Sequence, residues 1–173
     1  MSITEAPTHI WHAVPSMTTA NELSATSLIG HLGIEFVEAG EDYLTARMPV
    51  DDRTRQPVGV LHGGASVALA ETLASWAATL TVDLALASCV GMEINANHLR
   101  SVRSGWVTGV ARPIALGRRT QVWEVRITDD DGHLVCVSRC TMAVIHRPTP
   151  AGLPDQPAKP QWAPQGSNPE PAD

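Results

Sequence analysis

The chain has 173 residues, 43% hydrophobic and 17% charged, which gives one domain with a packed core and excludes disorder throughout. Eighteen acids against 12 bases leave a net charge of −6. That balance argues against nucleic acid and membrane as partners, because both need a basic protein surface. Two biases stand out: five Trp beside one Tyr and one Phe, and eleven Arg beside a single lysine, Lys159.

Residues 1–17 read as an irregular arm. It has no basic start, and Glu5, Pro7, His9 and His12 interrupt any apolar run, so no secretory leader is expected. Thr18-Thr19-Ala20-Asn21-Glu22-Leu23 supplies an N-cap and an acid, predicting a short helix near 19–29. Gly33–Val37 and Tyr43–Val50 follow as two strands of a half-exposed hairpin around the Glu38–Asp42 turn. A polar loop, residues 51–60, leads to His62-Gly63-Gly64. The run Ala65–Leu80 is apolar on almost every side of a helix, which places that helix in the middle of the protein. Between Glu71 and Asp83 lie 11 uncharged residues, too few to span a bilayer.

From there the pattern changes to period two, with strands at about 87–98, 104–115, 119–129 and 133–146. Asp129-Asp130-Asp131-Gly132 is a hairpin turn with glycine placed for positive φ. The three cysteines, Cys89, Cys136 and Cys140, are an odd number that fits a reducing, cytoplasmic location. Cys136 and Cys140 sit four apart in one strand, about 13 Å between Cα atoms, too far for a disulfide. No CxxC or other metal-ligand spacing is present, so no metal is expected. After His146 the composition shifts: residues 147–173 hold eight of the 13 prolines and read as a flexible tail. The fold class is therefore α+β, an antiparallel sheet wrapped around one long central helix over residues 18–146.

Three features carry chemistry. Glu71 interrupts an apolar helix, and a carboxylate there must be paired, hydrated or used. It is either a structural acid satisfied by a neighbouring Arg or hydroxyl, or a general base or nucleophile. His62-Gly63-Gly64 opens the same helix. The two glycines either make a tight turn or let a substrate carbonyl reach backbone N–H groups at the positive end of the helix dipole. The third is Asn95-Ala96-Asn97-His98-Leu99-Arg100-Ser101 with Arg103. Residues 98–119 contain five Arg (100, 103, 112, 118 and 119) and no acid, either a solvated strand face or a phosphate-binding band centred on Gly117-Arg118-Arg119-Thr120.

Gly63 and Glu71 are eight residues apart, about 12 Å along one helix axis. A base and an oxyanion donor must both come within about 3 Å of one reacting centre, which a single helix cannot arrange. Antiparallel helices from two subunits can. If both residues are catalytic, the enzyme is at least a C2 homodimer with two shared sites.

Several segments resemble the hotdog-fold acyl-CoA thioesterases: Gln56-Pro57-Val58-Gly59-Val60-Leu61-His62-Gly63-Gly64, Leu69-Ala70-Glu71, Gly91-Met92-Glu93-Ile94-Asn95-Ala96-Asn97-His98, and Leu116 through Glu124. The likeness covers residues 28–146. It is strongest to the 1,4-dihydroxy-2-naphthoyl-CoA thioesterases of menaquinone biosynthesis; the 4-hydroxybenzoyl-CoA thioesterases and the proofreading thioesterases of enterobactin synthesis are near relatives. The resemblance implies that Glu71 attacks the thioester or activates water and that Gly63 of a partner chain holds the oxyanion. Gln56 and His62 orient or polarise the thioester, and Ser75 helps position water. Gly64, Gly91, His98, Leu99, Arg100, Ser101, Leu116, Gly117, Arg118, Arg119 and Thr120 fall on substrate- and CoA-contacting segments. It also implies a homodimer, assembled as a homotetramer, and no cofactor beyond the CoA of the substrate. Trp76, beside the site helix, is placed to reshape the acyl pocket.

The expected activity is hydrolysis of an aromatic acyl-CoA thioester to free acid and CoA. Broad-range or carrier-protein-directed proofreading hydrolysis and a non-catalytic acyl-CoA-binding module are the alternatives. Hydratase chemistry would need an Asp-x-Asn-x-x-His pattern, which the chain lacks.

Overall fold

The computed structural model describes residues 9–147. The proline-rich segment lies outside the described residues apart from Arg147, as does the first part of the N-terminal arm. The predicted 19–29 helix forms as two pieces, α1 (Met17–Ser24) and α2 (Leu28–His31). The break has a local cause. Ser24-Ala25-Thr26-Ser27 offers hydroxyls that compete for the backbone. Ser27 Oγ donates to the Ser24 carbonyl at 2.7 Å and accepts from Ile29 N at 3.2 Å, so it closes one helix and caps the next.

Strands β1 (Glu35–Ala39) and β2 (Leu44–Pro49) form the expected hairpin, with Glu35 opposite Arg47. The helix α3 (Gly63–Leu80) follows, then β3 (Ala87–His98), β4 (Trp106–Leu116), β5 (Thr120–Asp129) and β6 (Leu134–His146), each within three residues of the predicted bounds. Gly132 in the β5–β6 turn has φ +79°, as its position requires. The six strands make one antiparallel sheet in the order β1-β2-β4-β5-β6-β3, leaving β3 with a free edge.

The sheet curls around α3, which lies against β2, β3, β4, β5 and β6. Small side chains make this close approach feasible: Ala65, Ser66, Ala70, Ala74, Ala77 and Ala78 are all buried, with Leu69 and Leu73 between them. The sheet answers in kind at Gly109, where a Cβ would stand 2.6 Å from Leu73 Cδ1. All three cysteines are free thiols. No helix among the described residues is long and apolar enough to cross a membrane.

The tryptophan surplus serves packing. Trp123 is fully buried; its Nε1 donates to Gln121 Oε1, and Gln121 Nε2 donates to Thr81 Oγ1 at the C-terminal end of α3. Trp11 stacks on Trp123 with centroids 6.4 Å apart and donates from Nε1 to the Gly40 carbonyl. The N–H groups of His12 and Ala13 both reach the Leu80 carbonyl, so residues 11–13 close the end of the central helix. Trp11→Ala is accordingly expected to cost about 3–5 kcal/mol, read as a lower denaturation midpoint at unchanged m-value.

Candidate active site

Helix α3 begins at His62, whose φ of −73° and ψ of 132° are extended and whose Nδ1 accepts from Gly64 N at 2.8 Å. The ring nitrogen replaces the usual Ser or Asp oxygen as the cap. It consumes the Gly64 N–H, whereas the Gly63 N–H has no acceptor among the described residues. One donor rather than two is therefore left at the positive end of α3. His98 closes over it, for a Cβ on Gly63 would lie 2.9 Å from His98 Nε2.

A cleft of about 280 Å³ opens at this point. Its lining includes Gln56, Gly63, His98, Leu99, Arg100 and Ser101 and contains no carboxylate. Residues 51–61 fold back to supply Gln56, held by its N–H to the Val60 carbonyl at 2.9 Å and by the Thr54 carbonyl accepting from His62 N at 2.8 Å.

Glu71 sits two turns further along α3, half-buried and outside that lining. Ser75 Oγ, one turn on, donates to its Oε1 at 3.3 Å. Gly91 of β3 abuts the same oxygen so tightly that a Cβ there would stand 2.3 Å from Oε1. Cys140 of β6 donates its thiol to Oε2 at 3.1 Å. Burial, together with the Glu71 carboxylate beside it, holds the Cys140 thiol well above its ordinary pKa, so it stays protonated. Burial likewise pushes Cys89 up to about 11. Cys140 was absent from the sequence-based site; a contact across 69 residues leaves no local pattern.

The remaining predicted residues divide in space. Leu116, Gly117, Arg118, Arg119 and Thr120 form the β4–β5 connection, closed by Gly117 N to the Thr120 carbonyl at 3.0 Å. Thr120 pairs with Ala143 of β6 while His98 pairs with Cys136. Seven residues of strand, roughly 23 Å, separate these positions. One chain thus does not bring the 116–120 loop into the Gly63 cleft. The cationic band is correspondingly not one surface. Arg112 in its middle is paired with Asp42 and stacks over Tyr43 at 4.6 Å. The Trp76 ring lies 5.1 Å from Phe36 of β1, the edge strand at the other end of the sheet from β3.

Residues 58–136 match the thioesterase superfamily. The chain is 47% identical to the 1,4-dihydroxy-2-naphthoyl-CoA hydrolase of Escherichia coli over 79% of its length and 99% of that protein. It is 49% identical to the proofreading thioesterase EntH of Cronobacter turicensis, over 79% of this chain and 98% of the relative. A crystal structure of a Pseudomonas aeruginosa thioesterase, a glutamine-to-alanine variant, superposes with a TM-score of 0.79 at 51% identity, covering 80% of this chain and 99% of that one. With the sheet wrapped on α3, these likenesses establish that the chain belongs to the hotdog-fold thioesterase superfamily and is a thioester hydrolase.

Proposed function

We propose that the enzyme hydrolyses aromatic acyl-CoA thioesters, such as 1,4-dihydroxy-2-naphthoyl-CoA, to the free acid and CoA in a homodimer that pairs into a homotetramer. One observation carries the catalytic part: the cleft holds an unused N–H at Gly63 and no carboxylate, while Glu71 lies two turns away. A second chain related by a twofold axis would bring the missing half to each. The Gly63 N–H of the partner subunit then donates to the developing oxyanion, and Glu71 attacks the carbonyl or takes a proton from the attacking water. The carbon–sulfur bond breaks and CoA leaves as thiolate, a leaving group good enough that no metal or cofactor is needed; where Glu71 is the nucleophile, water then cleaves the acyl-glutamyl anhydride to release the acid and restore the carboxylate. Gln56 and His98 line the cleft where the thioester would be oriented, and His62 acts by fixing the first turn of α3. Arg118 and Arg119 are placed for the CoA phosphates approaching from another chain.

The identity to the Escherichia coli hydrolase favours the aromatic CoA ester. The equally similar proofreading enzyme keeps a second reading alive, hydrolysis of misloaded carrier-bound acyl groups. A panel of aryl-CoA, alkyl-CoA and carrier-bound thioesters, followed by released thiol, decides between them. Aryl-CoA esters are expected to exceed saturated alkyl esters by about tenfold or more in kcat/KM, the discrimination a shaped apolar pocket gives. A flat profile favouring alkyl chains overturns the aromatic assignment. Preference for the carrier-bound ester selects proofreading, and no thiol release from any of them would leave a binding module.

A further inference from the structure

Resting on the reading of Glu71 as the reacting carboxylate, we propose that Cys140 is its positioning residue: the thiol fixes Oε2 and leaves Oε1 as the oxygen that meets the thioester or its water. Strand β6 sets Cys140 between Ile94 of β3 and Trp123 of β5, fully buried beneath α3. Its Sγ lies 3.1 Å from Glu71 Oε2 and 3.5 Å from Met142 Sδ. The two carboxylate oxygens therefore have different surroundings. Oε2 is held from within the core, whereas Oε1 meets the longer Ser75 contact at 3.3 Å and the bare backbone of Gly91.

Burial keeps the thiol protonated, so toward an ionised carboxylate it is the donor, with Met142 Sδ the longer and weaker alternative acceptor. Few charges compete. Helix α3 carries no other ionisable carboxylate or base over Gly63–Leu80. From β6 the facing group is Cys140 itself, and from β3 it is Glu93, a like charge that also acts on Cys140. The donor holds Oε2 in place, so removing it frees the carboxylate to turn and takes Oε1 out of its reacting position.

The test measures kcat and KM with one aryl-CoA thioester for wild type, Cys140→Ala, Cys140→Ser and Glu71→Ala. Alanine removes the donor; serine keeps one. Cys140→Ala is expected to lower kcat about tenfold, with KM changed less than about twofold, since a misplaced catalytic group costs rate rather than binding. Cys140→Ser should recover kcat to within about threefold of wild type. Cys140→Val, which also lacks a donor, carries the same comparison if alanine loosens the core. Normal kcat in the donor-free variants, or equal impairment by serine and alanine, overturns the role of Cys140. An inactive Glu71→Ala in the same series keeps the Glu71 reading intact, and an active one removes both.

Discussion

Glu71→Ala is expected to lower kcat by about a thousandfold or more while KM stays within a few-fold of wild type. Gln56, Gly63 and His98, the groups proposed to face the substrate, gather at one cleft, and Glu71 is not among its lining residues. Deleting Glu71 therefore leaves the cleft intact and removes only the base or nucleophile. Residual turnover would come from the oxyanion donor and from positioning. Glu71→Gln should lose a similar factor, since it keeps the side chain's volume and an oxygen acceptor for Cys140 but not the negative charge. A structural acid would behave differently: glutamine would be tolerated, and alanine would lower the unfolding midpoint with normal turnover per folded molecule. Normal turnover in either variant sinks the catalytic assignment.

Much of the fold was legible because its signals are local and strong. The helix Gly63–Leu80 is apolar all round, and only a central position satisfies such a surface. The strand Ala87–His98 has the bounds its period-two pattern gives. The 19–29 helix was less legible because propensity alone could not weigh Ser24 and Ser27, whose hydroxyl-bearing stretch ends one helix and caps another. Site residues within one segment, such as Glu71 with Ser75, could be read from helical spacing. Contacts made by the sheet could not. Cys140 meets Glu71 only because α3 packs across β6, and that packing has no signature in either segment. The spread of the arginines was hidden for a similar reason. Strand β4 carries the chain from Trp106 to Leu116, roughly 33 Å, so Arg103 and Arg118 start and end at opposite sides of the sheet. Proximity in sequence became separation in space.

The proposed sharing of the site between subunits makes a second, sharper expectation. Gly63→Pro should deplete activity about as far as removal of one oxyanion donor does, some 100- to 1,000-fold. Proline suits this position structurally. Gly63 is the first residue of α3, where the lost N–H has no helical partner, and the preceding His62 already has the extended backbone that proline demands. The new ring displaces His98, which stands against Gly63, but the helix start is preserved. Now let Glu71→Ala and Gly63→Pro chains be co-refolded or co-expressed in equal amounts. In a mixed dimer one site combines both lesions and is dead. The other draws Glu71 from one chain and Gly63 from the other, and both are wild type. Random pairing makes half of the dimers mixed, each with one intact site, so activity should rise from near zero to about a quarter of wild type. Two tagged chains purified in tandem as tetramers should give slightly more, about two-sevenths of wild type, since only tetramers built wholly of one chain are removed. If each chain carried its own complete site, every site in the mixture would contain one lesion and no activity would return. Complementation therefore reports directly on whether the carboxylate and the oxyanion donor come from different subunits.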